Sequence, residues 1–201
     1  KFDLGAHIDG YIAVAAHTHV VQGANPSPEV SGRAADVLKA AYVGAEVALK
    51  LIKPGLTNQG ITAALKQVAT DFGVSPVQGV LMHHMKRFVI DANDVVIQRE
   101  EVEQKVDKFE FEDAKVYTVD VCMSTGEGKP IQRDSRTTIF KRAVDQDYRL
   151  KMKASRYVFN EIQKNFATLP FTLRAISDEK QARMGIVELA KHDMVTGYPV
   201  L

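Results

Sequence analysis

Lys1-Phe2-Asp3-Leu4-Gly5-Ala6-His7-Ile8-Asp9-Gly10-Tyr11-Ile12-Ala13-Val14-Ala15-Ala16-His17 opens the chain. Residues 2–8 and 11–21 are rich in Ile, Val and Ala on either side of Asp9-Gly10, a dipeptide suited to the left-handed backbone of a two-residue hairpin turn. Centring the turn there sets residue 8 against 11, 5 against 14 and 3 against 16. Asp3 and Val14 then become diagonal neighbours on one face of the ribbon. A carboxylate at each position would let such a hairpin hold two metal ions. Here only Asp3 is acidic. The chain starts on a strand with no cap or loop before it, which implies further residues upstream.

Beyond the hairpin, Gly23, Asn25, Pro26, Ser27 and Pro28 predict a loop over 22–30. A helix follows from Ser31 to Ile52, with Ala34, Leu38, Ala41, Tyr42, Ala45, Ala48, Leu49 and Ile52 on one face and Pro54-Gly55 as its stop. A second helix runs from Thr57 to Phe72, its stripe Ile61, Leu65, Val68 and Phe72, its stop Gly73. Val80–Ile90 reads as a strand or a short helix, and Val95–Gln98 as a strand. Residues 99–115 are mostly charged and read as a solvated connector. Val116–Met123 is a strand, 124–135 a polar loop, and Thr137–Lys141 a β-branched returning strand. Helices over Met152–Phe166 and Asp178–His192 flank Leu169-Pro170-Phe171. The apolar end, Gly197 to Leu201, has the character of a strand cut short.

This alternation predicts an α/β chain. Its 201 residues suffice for a real core, and 45% hydrophobic and 25% charged residues exclude a disordered tail, a collagen-like repeat or a coiled coil. No stretch reaches the roughly 20 apolar residues of a membrane span. The lone Cys122 cannot form an internal disulfide, which favours a reducing compartment.

Several blocks carry a resemblance that covers nearly the whole chain. They include the hairpin, Leu81-Met82-His83-His84-Met85-Lys86, Val116-Tyr117-Thr118-Val119-Asp120-Val121, Arg136-Thr137-Thr138-Ile139-Phe140-Lys141-Arg142 and Leu150-Lys151-Met152-Lys153-Ala154-Ser155-Arg156. The hairpin resembles that of the methionine aminopeptidase, or pita-bread, superfamily. The last two blocks resemble its non-peptidase branch, the proliferation-associated or ErbB-binding protein family. The resemblance implies one pita-bread domain over 1–201, incomplete at both ends.

Active members of that superfamily bind two divalent metals through two Asp, one His and two Glu, and the metals share an attacking hydroxide. The resemblance places Asp3 at the first Asp, His83 at the His, and Asp120, one methylene shorter, at the first Glu. Val14 stands at the bridging Asp, where an isopropyl group offers a hard cation nothing. The final Glu falls beyond Leu201. Asp3, His83 and Asp120 thus read as vestigial, with no metal, no cofactor and no catalytic residue expected. His17 and His84 read as packing or surface residues. Cys122, on the strand face of Asp120, reads as inert. Ser124-Thr125-Gly126-Glu127-Gly128-Lys129 lacks phosphate-loop spacing and precedes a strand, so it reads as a turn.

Charge is distributed unevenly. Between 129 and 156 stand Lys129, Arg133, Arg136, Lys141, Arg142, Arg149, Lys151, Lys153 and Arg156 against three Asp, a net of +6 that leaves −5 for the rest. Such density can neutralise several phosphates, with Phe140 and Tyr148 interleaved; the bland reading pairs the cations with Asp145 and Asp147. Cations at the start of a helix oppose its dipole, which an anionic partner would offset. The resemblance implies structured RNA, the large ribosomal subunit and protein partners, translation and growth regulation, and a cytoplasmic location with a nuclear or nucleolar share. The alternatives are a methionine aminopeptidase with an altered site and a purely protein-binding scaffold.

Overall fold

The computed structural model describes residues 1–21, 23 and 29–201. Apart from Gly23, the residues that mark the expected 22–30 loop lie outside them. The chain divides into two compact units, Lys1–Pro130 and Ile131–Leu201.

In the first unit, β1 (Phe2–Ile8) and β2 (Tyr11–His17) pair antiparallel in the expected register, Ile8 opposite Tyr11, Gly5 opposite Val14 and Asp3 opposite Ala16. Asp9 and Gly10 have φ of 50° and 84°, the left-handed pair that a two-residue turn requires. Gly10 has a second reason to be glycine, since a Cβ there would come within 2.6 Å of the Phe88 ring.

Helices α1 (Gly32–Leu51) and α2 (Asn58–Asp71) match the expected spans to within a residue or two. The buried face of α1 is rotated from the expected one. Ala40, Gly44 and Ala48 are buried, whereas Tyr42 and Leu49 are 65% and 60% exposed. Small residues win that face because α2 comes close: a Cβ on Gly44 would lie 3.1 Å from Leu65. On α2, Ile61, Leu65 and Val68 are buried as expected, and Phe72 is half-buried.

Past α2, β3 (Ser75–Pro76) pairs with β7 (Met123–Ser124), and β4 (Leu81–Met85) is flanked by β5 (Val95–Ile97) and β6 (Val116–Tyr117) in an antiparallel sheet of order β5-β4-β6. Residues 81–85 are strand rather than helix. The strand stops short of Ile90 because Lys86 and Val89 exchange backbone hydrogen bonds of 2.8 Å around Phe88, at φ 61°. Within 116–123 only the two ends are paired as strand.

The expected solvated connector needs correcting. Phe111 is 2% exposed and packs edge-on against Phe109 and Tyr117 at 5.1 Å from each. Asn58 anchors this segment: its amide donates to the Asp107 carbonyl (2.9 Å) and the Val95 carbonyl (3.1 Å), and its oxygen accepts the Phe109 N–H (3.2 Å). Ala48, Ile61, Leu65, Met82, Val96 and Phe111 form the core.

In the second unit, β8 (Ile139–Arg142) is the centre of an antiparallel sheet between β9 (Phe171–Thr172) and β10 (Val195–Gly197). Helices α3 (Lys153–Asn165) and α4 (Glu179–Lys191) lie within one residue of expectation. Asp178 caps α4 by accepting the Gln181 N–H at 3.0 Å. Phe140, Val158, Ile162, Phe171, Leu189 and Val195 lead the core. Gly185 lets α3 and α4 touch, since a Cβ there would sit 2.6 Å from the Ala154 carbonyl oxygen.

Candidate functional site

Asp3 is exposed on β1, and its carboxylate lies 3.6 Å from Lys1 Nζ. Val14 stands diagonal to it on β2 and is 42% exposed. His83, half-buried on β4, donates its backbone N–H to Thr118 Oγ1 (3.0 Å) and accepts the Thr118 N–H at its carbonyl (2.9 Å), while its Nδ1 is buried with no partner among the described residues. Asp120 is exposed, with Oδ1 3.8 Å from Cys122 Sγ, so the two side chains are neighbours as expected, although the segment between β6 and β7 that carries them is not strand.

Burial, and then the neighbouring Asp120 charge, push the Cys122 thiol up, the opposite of nucleophile activation. Asp3 adds the last and smallest contribution in the same direction. Among the described residues no three His, Cys, Asp or Glu side chains converge on a point that could hold a metal. With Val14 offering no donor atom, the side chains present do not fit a two-metal centre.

A titratable cluster beside this site escaped the sequence reading. His84 is buried, with Nδ1 3.5 Å from Asp94 Oδ2 and its ring 5.4 Å from that of Tyr117. Lys115 Nζ reaches the same Asp94 oxygen at 2.8 Å and Glu112 at 3.2 Å. Burial pushes the His84 imidazole down despite the Asp94 charge, and the Lys115 hydrogen bond holds Asp94 below the usual carboxylate range. Burial likewise raises the Tyr117 phenol. No local pattern could have announced the cluster, because Asp94 and Lys115 are distant in sequence and meet only once the 99–115 segment folds back.

The structure sorts the nine basic residues. Lys129 belongs to the first unit, exposed and 3.3 Å from Glu127. The other eight belong to the second. Arg133, Arg136, Arg149, Lys151 and Lys153 are exposed, and among the described residues none of them pairs with a carboxylate, Asp134, Asp145 and Asp147 included. Arg156 is exposed but donates to the Lys151 carbonyl (2.7 Å) and the Leu150 carbonyl (3.1 Å). Lys141 is half-buried on β8, and Arg142 stacks its guanidinium 5.2 Å over the Phe159 ring with Nε buried. Neither interleaved aromatic is free: Phe140 is in the core, and His192 stacks on Tyr148 at 3.6 Å.

The start of α3 has its own anion. Glu188, on α4 and 8% exposed, accepts the backbone N–H groups of Lys151 (2.9 Å) and Met152 (3.0 Å). The Ser155 hydroxyl beside it, then these N–H donors, hold the carboxylate below its usual range. The expected need for an outside anion at this helix end is therefore met from within.

Residues 1–133 match metallopeptidase family M24. The chain belongs to that family. Within it, the chain is 50% identical over 202 residues to ErbB-3 binding protein 1 of Solanum tuberosum, covering 100% of this chain and 51% of that one. It is 43% identical over 201 residues to proliferation-associated protein A of Dictyostelium discoideum, covering 100% and 52%. Its identity to the curved DNA-binding protein of Schizosaccharomyces pombe is 41% over 204 residues, again covering 100% and 52%. A methionine aminopeptidase of Archaeoglobus fulgidus is more distant, at 29%. The solved structure of a thermophilic Arx1 superposes with a TM-score of 0.86 at 29% identity, covering 98% of this chain and 57% of that one. The resemblance to the ErbB-binding, proliferation-associated family and its mixed α/β pita-bread fold is thereby borne out. The chain spans about half the length of the curated relatives it matches.

Proposed function

We propose that this M24 chain is part of a non-catalytic protein that binds structured RNA, the large ribosomal subunit above all, and acts in translation and growth regulation. One observation carries the reading: five cations of the second unit, Arg133, Arg136, Arg149, Lys151 and Lys153, stand exposed and, among the described residues, unpaired with any carboxylate although three Asp share their segment. Unpaired Lys and Arg at this density suit a phosphate backbone. Lys129, Lys141, Arg142 and Arg156 complete the proposed set in supporting positions. The occupied faces of Phe140 and Tyr148 favour recognition of phosphate and shape over base stacking. Three relatives are named as binding proteins, one of them for curved DNA, itself a polyanion. Val14 at the bridging position supports the absence of peptidase chemistry. The corresponding location is cytoplasmic, with a nuclear or nucleolar share.

The test is co-sedimentation of the full-length protein with purified large ribosomal subunits across a salt series. Charge reversal of Arg149, Lys151 and Lys153 together should weaken association by at least about tenfold. Undiminished association would remove the assigned surface. Binding that survives ribonuclease and barely responds to salt would favour the protein scaffold that the ErbB-3-binding relatives' names suggest. Cleavage of a Met-peptide that disappears in His83→Ala would restore the peptidase reading.

A further inference from the structure

Helix α4 has a buried face and, opposite it, a second face that stays exposed. Ala182, Gly185, Ile186 and Leu189 are buried, with Gly185 against α3. Lys180, Met184, Val187 and Lys191 stand at i, i+4, i+7 and i+11. On a helix that spacing gathers them within about 60° of arc, on a line about 16 Å long. It is the spacing of a coiled-coil seam, and the line runs along the far side of α4 from its buried residues. All four are exposed, Met184 by 51% and Val187 by 63%. One exposed apolar side chain needs no explanation. Two at successive seam positions, bounded at both ends by a cation, form a pattern with a definite complement.

The cations specify that complement. Arg183, beside the line, is neutralised by Glu179 at 2.6 Å. Lys180 and Lys191 make no ion pair among the described residues, and Lys180 acts only weakly on Asp178. In the last turn Lys191 complements the helix dipole, but Lys180 in the first turn opposes it, so that charge does not serve α4 itself. A second copy of the chain fits poorly on this line. Paired parallel, or antiparallel about the midpoint of Met184 and Val187, it would set Lys against Lys at both ends. A phosphate backbone would meet two apolar side chains where it needs donors. A helix with two apolar residues between two carboxylates, at the same spacing, satisfies all four positions. It pairs a carboxylate with each Lys and covers Met184 and Val187 between them.

We infer that this face of α4 docks an acidic amphipathic helix of a partner protein. Fluorescence anisotropy on the full-length protein, in about 0.15 M salt, tests this with three stapled helical peptides on an alanine and glutamine background. The first carries glutamate, leucine, leucine and glutamate at the seam spacing. The second has the same composition with both leucines moved to the opposite face. The third has lysine in place of both glutamates. Saturable binding of the first is expected, with each of the others at least about tenfold weaker. Lys180→Glu combined with Lys191→Glu should reverse the preference toward the lysine-ended peptide. Met184→Gln combined with Val187→Gln should weaken the first peptide by at least about tenfold. These side chains are exposed, so thermal midpoints should not move. The inference is overturned if the first peptide does not saturate, if the shuffled peptide binds as well, or if the charge-reversed variant keeps the parent's preference. It is also overturned if the Met184 and Val187 variant loses affinity for a structured RNA while its affinity for the first peptide is unchanged.

Discussion

A single glutamate organises the start of α3. Glu188 accepts the N–H of Met152, the N-cap of the helix, and that of Lys151 just before it, in a place where Lys151 and Lys153 add positive charge. Glu188→Ala should lower the thermal midpoint by several degrees and expose the amides of 151–155 to hydrogen exchange, with the first unit unchanged. Because its folded-state pKa is depressed, the stability Glu188 contributes is complete above the unfolded value of about 4.3 and lost as pH falls through the folded one. His84 follows the same sign for a different reason. Burial lowers its pKa, so protonation favours the unfolded chain, and stability should decline as pH drops below about 6.5. Phenylalanine at 84 should abolish that portion of the pH dependence in denaturant titrations.

At the scale of elements, glycine is placed where helices touch. In a solvated helix Gly185→Ala would gain about 1 kcal/mol of propensity. Here the added methyl meets the Ala154 carbonyl oxygen at 2.6 Å, a backbone atom that cannot swing aside. Clash should win, and the substitution should destabilise by about 1–3 kcal/mol in chemical unfolding. Gly44→Ala meets side-chain methyls at 3.1 Å, which can yield, so its cost should be smaller. Helix spans were legible because apolar periodicity and Gly or Pro stops are local signals. The buried face of α1 was not, since Tyr42 and Leu49 satisfy the helical period as well as Ala40 and Ala48 do. Only the nearness of α2 selects the small side chains.

For the whole molecule, the proposed RNA binding should be governed by salt. Each removed phosphate contact should flatten the log–log dependence of affinity on salt by about 0.7–0.9. Removing Arg149, Lys151 and Lys153 one at a time should therefore change the slope stepwise in filter-binding measurements with a structured RNA. Arg142→Ala should act chiefly through stability, because its guanidinium covers Phe159.

Read alone, the 201 residues determined the hairpin and its register, four helices and the family. Each of those depends on neighbours in sequence, a two-residue turn or a side chain's own chemistry. Tertiary structure decided the rest. It buried Phe111 within a segment whose charges suggest solvent, joined His84 to Asp94 and Lys115, and supplied Glu188 to α3. It also separated the unpaired cations from Arg142 and Arg156. Those outcomes depend on contacts between residues far apart in sequence, which exist only once the backbone has closed on itself.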